Sequence, residues 1–151
     1  MIFIGADHRG FPLKEAIKNW LTQNNYQVED LGAESLDPDD DYPIYAEAVA
    51  KRVSASDPLH EDRGIVICGS GVGVDIVANK FDKVRSGFGM NSEQVKAGRR
   101  DDNTNVLALP ADEIDEPTAI EMVKAFVETQ YEEADRRNRR LEEIKEIEDK
   151  Q

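Results

Sequence analysis

The chain has 151 residues, of which 39% are hydrophobic and 34% charged, and its formal net charge is −13. This length fits one domain with its own core, and no apolar run approaches the roughly eighteen residues that a membrane helix needs. The negative charge argues against a nucleic-acid-binding protein, because such proteins contact phosphates through clustered Lys and Arg. One cysteine cannot form an internal disulfide, and two histidines, His8 and His60, are too few for the usual zinc sites, so we expect no metal. The first residues lack a basic region followed by an apolar stretch, which predicts a cytoplasmic protein.

Strands and helices alternate along the chain. Short apolar or alternating runs predict five strands, at Ile2–Ala6, Gln27–Gly32, Gly64–Cys68, Val84–Met90 and Asn105–Leu109. Apolar residues at helical spacing predict a helix after each strand, and a polar loop is expected over Ser54–Arg63. The segment 131–151 is almost all charge with a sparse apolar stripe, which predicts a helix that packs across the domain or on a second subunit.

This alternation predicts an α/β fold, a three-layer α/β/α Rossmann-like architecture with a five-stranded parallel sheet. For five strands the commonest order is 2-1-3-4-5, in which strands 1 and 3 are neighbours. Their outgoing connections run to opposite faces and open a crevice at the carboxyl ends of these two strands, where ligands bind. The loops at this crevice are Asp7–Gly10 and Cys68–Gly73.

The loop Cys68–Gly73 has glycine at positions 69, 71 and 73 and leads into a helix. Free amide groups at such a turn can bind an anion, although a tight strand-to-helix turn explains the glycines equally well. Cys68 is either a small buried hydrophobic residue or, at a helix amino terminus, a thiolate that serves as base or nucleophile. Asp7 and His8 face the same crevice; alternatively, Asp7 caps the following helix and His8 is a surface residue.

Arginines cluster in two places of this acidic chain. The clusters comprise Arg136, Arg137, Arg139 and Arg140, and the pair Arg99 and Arg100. They form either a solvated helical face or an anion site.

Motifs across nearly the whole chain resemble the B-type ribose-5-phosphate isomerases, a family that includes galactose-6-phosphate and allose-6-phosphate isomerases. The matching residues are Gly5–His8 with Gly10 and Lys14, Asp30–Gly32, Asp41–Pro43, Ile67–Gly73, Ala78–Lys80, Asn105–Ala108, and Arg136 with Arg140. The resemblance implies interconversion of an aldose phosphate and a ketose phosphate through a cis-enediolate, without cofactor or metal. It also implies a step of the pentose phosphate pathway and a homodimer or homotetramer whose subunits share active sites.

The resemblance further implies roles for individual residues. Cys68 is the base, with Ser70 beside it, and the backbone amides of Gly69, Gly71 and Gly73 bind the enediolate oxygen. Asp7 transfers hydroxyl protons, Tyr42 lines the sugar site, and the phosphate is held by His8, Arg136 and Arg140.

The chain departs from the family pattern at two places. Asp101-Asp102-Asn103 replaces the usual His-Asn-Asp, so Asp101 takes the place of the ring-opening histidine, with Asp102 beside it in the substrate site. An aspartate is a poor acid at neutral pH unless burial or a neighbour such as Asp102 raises its pKa. Asp112 replaces a phosphate-binding arginine; either another arginine compensates, or the substrate sits differently. The candidates are Arg9, Arg99, Arg100, Arg137 and Arg139.

Three functions fit this sequence. The first and leading one is a sugar-phosphate isomerase, whose substrates are ribose 5-phosphate and ribulose 5-phosphate or, as the next choice, hexose phosphates, as in other members of the same family. A sugar-phosphate-binding relative that has lost turnover is the second, and a flavin- or nucleotide-binding protein of the same topology is the third.

Overall fold

The structure, a computed structural model, describes residues 1–57 and 61–150. The strands are β1 (Ile2–Ala6), β2 (Val28–Asp30), β3 (Arg63–Cys68), β4 (Ser86–Phe88) and β5 (Val106–Pro110). The helices are α1 (Phe11–Gln23), α2 (Tyr42–Ser54), α3 (Val72–Ala78), α4 (Ser92–Asp102), α5 (Glu116–Glu128) and α6 (Asp135–Glu148). The α/β class and the five strands are as predicted. Within the predicted loop before β3, residues 58–60 lie outside the described residues, as does residue 151.

All strand pairs are parallel, and the sheet order is β2-β1-β3-β5-β4. The predicted order had the last two strands exchanged. β5 is buried along its whole length, whereas β4 is only three residues long and half-buried. A fully apolar strand gains most from the sheet interior, so β5 pairs with β3 and β4 takes the edge. The neighbouring positions of β1 and β3, on which the predicted crevice depends, are unaffected.

Two apolar clusters cover the two faces of the sheet. One joins α1 and α5 to the sheet through residues such as Ile17, Met122 and Phe126, all fully buried. The other joins α2 and α3 to the opposite face through Val49 and Val74, and it contains Cys68. These layers fix the carboxyl ends of β1 and β3 relative to the helices that follow them.

The helix α6 lies outside this sandwich. None of its residues is buried, and it contacts the domain mainly along α4. Ile144 and Ile147 on its apolar stripe are exposed. Among the described residues, no helix has both the length and the apolar character that crossing a bilayer requires.

Candidate active site

The carboxyl ends of β1, β3 and β5 meet at one edge of the sheet. Ala6 pairs with Ile67, which sets Asp7 beside Cys68, and Cys68 itself pairs with Pro110. Cys68 is 4% exposed and packs in the apolar cluster beneath α2 and α3. The thiol is therefore a core residue by burial and, at the last position of β3, also a residue of the predicted crevice.

The loop after Cys68 is held tightly by its neighbours. Gly71 has φ +72°, and a Cβ atom there would lie 2.9 Å from the Pro110 nitrogen, so the turn into α3 needs glycine. A Cβ on Gly73 would lie 2.6 Å from Cζ of Tyr42, which means that the tyrosine ring packs directly on the loop. Ser70 is exposed between them. The structure thus brings Tyr42 to the cysteine loop.

The side chain of Asp7 is tied to its own loop. It is 5% exposed, and its Oδ1 accepts hydrogen bonds from the backbone N–H groups of Arg9 (3.1 Å) and Gly10 (3.0 Å). These bonds shape the loop before α1 and do not cap the helix, because the residue at its N-cap is Gly10 and no side chain caps it. The second carboxyl oxygen takes no part in these two bonds.

The side chain of His8 contacts a carboxylate from a distant segment. Its Nδ1 lies 2.6 Å from Oδ1 of Asp40, and its backbone N–H donates to the same oxygen at 2.9 Å. The hydrogen bond with Asp40 raises the pKa of His8 above its ordinary value of 6.5. The imidazolium form of His8, one residue from Asp7, is therefore more favourable than that of a free histidine.

Arg9 crosses the crevice to the loop after β5. Its guanidinium forms an ion pair with Asp112, and both side chains press on Gly69, where a Cβ would lie 2.6 Å from each. Asp112 also donates its backbone N–H to the Gly69 carbonyl at 3.0 Å. Among the arginines offered as replacements for the missing cation, Arg9 is the one at this edge, and it neutralises the aspartate that stands there.

Asp101 lies elsewhere, at the end of α4. Its carboxylate contacts Arg100 (2.9 Å from Nε) and the Arg137 guanidinium (2.6 Å). The hydrogen bonds and charge of Arg100, together with Arg137, lower the pKa of Asp101 to about 2. Asp101 would act as an acid only if its pKa were raised, and the prediction that Asp102 can raise it is wrong. Asp102 is exposed, and the two arginines determine the direction of the Asp101 pKa shift.

The other arginines of the two clusters have different surroundings. Arg136 and Arg140 are exposed on α6 and form no ion pair among the described residues. Arg99 is buried, and its guanidinium binds the Thr129 carbonyl and the Asn103 side chain, which gives it a structural role. Arg136 and Arg140 are thus the cations of this helix that remain available to an anion.

These residues form two groups at opposite edges of the sheet. The loops after β1, β3 and β5 lie at the carboxyl edge, whereas α4 ends where β5 begins, at the amino edge. The five residues of β5 separate the edges by about 16 Å at ~3.3 Å per residue. A single chain therefore does not bring Asp101, Asp102, Arg136 or Arg140 to Cys68.

One set of described side chains has the spacing of metal ligands. Asp7, His8 and Asp40 place one ligand atom each within 4.8 Å of one another. Hydrogen bonds within this set and to the backbone already use Nδ1 of His8 and Oδ1 of both carboxylates. We therefore assign no metal to these residues.

Two residues of these groups were missed by sequence reasoning. Asp40 stands in the acidic run Asp37–Asp41, where nothing in the pattern distinguishes one carboxylate from the next. Arg137 was grouped with its neighbours, but helical spacing turns it toward Asp101 while Arg136 and Arg140 face away. Only the tertiary structure separates these roles.

Known proteins resemble the chain over almost its full length. A family model described as Ribose/Galactose Isomerase matches residues 2–144. Ribose-5-phosphate isomerase B of Mycolicibacterium paratuberculosis is 37% identical over 147 residues, covering 97% of this chain and 91% of that protein. The crystal structure of ribose-5-phosphate isomerase B from Mycoplasma genitalium with bound ribulose 5-phosphate has a TM-score of 0.93 at 35% identity, covering 99% of this chain and 97% of that one. The Clostridium thermocellum enzyme of the same name has a TM-score of 0.91 at 34% identity, covering 99% and 97%.

Proposed function

We propose, from the premise that this chain belongs to the Ribose/Galactose Isomerase family, that it isomerises a phosphorylated aldose and ketose without a metal. Ribose 5-phosphate and ribulose 5-phosphate are the leading pair. The observation that carries the proposal is the convergence of Asp7 and Tyr42 on the glycine-rich loop that begins at Cys68. The relative from Mycoplasma genitalium, crystallised with ribulose 5-phosphate, supports the choice of sugar.

Cys68 is the base in this mechanism. As thiolate it removes the proton from C2 of the open-chain aldose, and the same thiol returns that proton to C1 of the enediolate to give the ketose. Amide groups of Gly69, Gly71 and Gly73 stabilise the enediolate oxygen, and Ser70 lies beside the thiol. Burial of Cys68 at 4% exposure supports this role, because water competes little for the proton.

Asp7 and Tyr42 position the sugar. Asp7 moves a proton between the O1 and O2 oxygens through the carboxyl oxygen that the loop leaves free. Its Oδ1, fixed by two backbone N–H groups, holds the carboxylate at the crevice. Tyr42, packed on Gly73, forms the wall of the sugar site.

The phosphate and the ring-opening residues come from two subunits in this proposal. His8 of one chain and Arg136 and Arg140 of a second chain hold the phosphate by charge-assisted hydrogen bonds. Asp101 and Asp102 of the second chain face the ring of the sugar. The separation of the two groups by about 16 Å within one chain supports a shared site.

The surface around the cysteine loop supports a second copy as the partner. Tyr42, Ile44, Val72 and Ile76, on the contacting helices α2 and α3, are 37% to 56% exposed. Apolar side chains gathered beside a site are typical of a subunit interface. We propose a homodimer or homotetramer in the cytoplasm, with 131–151 of each chain lying on its partner.

Proton exchange tests the isomerase. Incubation with ribose 5-phosphate or ribulose 5-phosphate in deuterated water is expected to exchange the C2 or C1 hydrogen, and Cys68→Ala to abolish exchange while sugar-phosphate binding persists. Exchange only with a six-carbon phosphate would assign the hexose reaction. Absence of exchange with every pentose and hexose phosphate would refute the enzyme.

Mixing variants tests the shared site. Chains with Cys68→Ala and chains with Arg136→Ala and Arg140→Ala are each inactive in this proposal, because each breaks one half of every site. Random reassociation gives half mixed dimers with one intact site of two, so about a quarter of the full activity should return. No recovery after demonstrated subunit exchange would place both halves in one chain.

A binding protein without turnover is the second candidate. It is favoured by the ionised state of Asp101, with a pKa of about 2, and by the ion pair that occupies Asp112. Thermal stabilisation by sugar phosphates with no Cys68-dependent exchange would support it.

A further inference from the structure

His8 is held by a carboxylate that the proposed mechanism does not use. Asp40 reaches it from the turn between β2 and α2, and one oxygen, Oδ1, accepts from the His8 backbone at 2.9 Å and lies 2.6 Å from Nδ1. The Asp40 side chain is 5% exposed, whereas that of His8 is 29% exposed. The arrangement has a buried anion behind the ring and an open side in front of it.

We propose that Asp40 is a positioning residue that fixes the His8 ring through Nδ1 and stabilises its imidazolium form, leaving Nε2–H as a charged donor to the substrate phosphate. The phosphate part of this inference rests on the proposed function, which assigns His8 to the phosphate. Among the described residues, the ring makes no hydrogen bond other than the one to Asp40, so Nε2 is the nitrogen available to a ligand.

Burial of Asp40 demands a cation beside it. Burial raises the pKa of Asp40, but the hydrogen bonds from His8, together with Tyr45 and the charge of His8, outweigh this and hold the pKa below its ordinary value. Its Oδ2 is buried and lacks a partner in strict hydrogen-bond geometry among the described residues, although the Tyr45 hydroxyl faces the carboxyl and favours its ionised form. A neutral His8 would leave this buried charge uncompensated, which is costly.

The other charges around the ring act in both directions. Asp7 favours the imidazolium, whereas Arg9 and partial burial of the ring oppose it. Asp37 lies near Tyr45, behind Asp40, and adds negative charge there. The net result is a raised pKa of His8, with the Asp40 hydrogen bond as the largest cause.

A cation on His8 suits a phosphate monoester, which is largely dianionic at neutral pH. Hydrogen bonds in which both partners are charged are roughly twice as strong as neutral ones. Losing the charge on His8 should therefore weaken substrate binding above pH 7 and have little effect on the proton transfer at Cys68.

The experiment compares Asp40→Asn with Asp39→Asn. Asparagine keeps the shape of Asp40 and removes its charge, and Asp39 is an exposed carboxylate of the same turn. The chain has only two histidines, so replacing His60 by Gln leaves one imidazole signal to follow by NMR against pH. We expect His8 to titrate above 6.5 in the parent and in Asp39→Asn, and lower in Asp40→Asn.

Kinetics give the second readout. At pH 8, the KM for ribose 5-phosphate should rise about tenfold in Asp40→Asn, with kcat within a factor of two, and the difference should shrink toward pH 6 as the ring regains its proton. Asp39→Asn should match the parent at every pH.

Three results would overturn the inference: a parent His8 that titrates at or below 6.5, an Asp40→Asn titration equal to the parent's, or a lowered titration with unchanged KM. The first needs only the His60→Gln protein and holds even if Asp40→Asn does not fold. Absence of turnover in the parent would refute the proposed function instead, and the His8 titration would still decide whether Asp40 sets its charge.

Discussion

Replacing Asp101 by histidine tests whether this residue limits ring opening. The Arg100 and Arg137 contacts lower the pKa of Asp101 to about 2, so at pH 7.5 roughly three carboxyls in a million carry the proton that an acid must donate. A histidine with a pKa near 6.5 is about one-tenth protonated at pH 7.5. Even if the two arginines lowered its pKa by about one unit, one-tenth would be protonated at pH 6.5.

The expected gain follows from these fractions. General acid catalysis contributes at least about 100-fold when the acid is protonated and in position, so one-tenth protonation predicts about a tenfold increase in kcat/KM for ribose 5-phosphate at pH 6.5. The increase should fall as the pH rises. Asp101→Asn, which removes the charge without adding an acid, should give no increase.

The assay separates ring opening from proton transfer. Ribulose 5-phosphate cannot close a furanose ring, because its C5 oxygen bears the phosphate, and exchange of its C1 hydrogen needs only formation of the enediolate and its return. We expect the exchange rate to be equal in the parent and in Asp101→His. An unchanged kcat/KM for ribose 5-phosphate in a folded Asp101→His protein, or an equal gain in Asp101→Asn, would refute the reasoning.

Three further predictions concern packing and stability. Gly73→Ala should displace the Tyr42 ring and raise KM. In a Tyr42→Ala background the same substitution should leave the free energy of unfolding unchanged or increase it by up to about 1 kcal/mol, measured by thermal unfolding. Lys14, 1% exposed, pairs with Asp30 at 2.6 Å, so Lys14→Met should cost about 2–3 kcal/mol in urea unfolding at pH 7. Burial raises the pKa of Asp30, but its lysine partners lower it overall. The stability from the Lys14–Asp30 pair is therefore present above pH ~4 and is lost as the pH falls further. The free energies of unfolding of the parent and of Lys14→Met should converge in acid. Cys68→Ala should lower the free energy of unfolding by only about 1 kcal/mol, because it removes one buried atom; a loss above about 3 kcal/mol would make the thiol chiefly a core residue.

The sequence predicted the parts of the site that depend on local pattern and topology. The apolar run ending at Cys68, the glycines after it and the polar loop after Ala6 fix two neighbouring strands and their loops. Those features survive the exchange of β4 and β5, because the crevice needs only β1 beside β3. The exchange itself depends on the relative burial of two short strands, which the pattern of each strand alone does not rank.

Charge pairing was the part that the sequence could not predict. Asp101 meets Arg137 across 36 positions of the chain, and Asp40 meets His8 across 32. Each acid stands in a run of acids, so composition gives no means of choosing the one that is buried or paired. Because such pairs decide which groups are charged at neutral pH, the ionisation states of the site follow from tertiary structure.

The placement of the two residue groups at opposite edges of one sheet has a consequence for descent by gene duplication. In the proposed shared site, each chain gives Cys68 to one site and Arg136 to another. After duplication, one copy could lose the cysteine half and the other the arginine half, and the pair would still form one complete site. A shared site of this kind therefore allows a self-sufficient homodimer to become an obligate pair of different chains through loss alone, with no new catalytic residue.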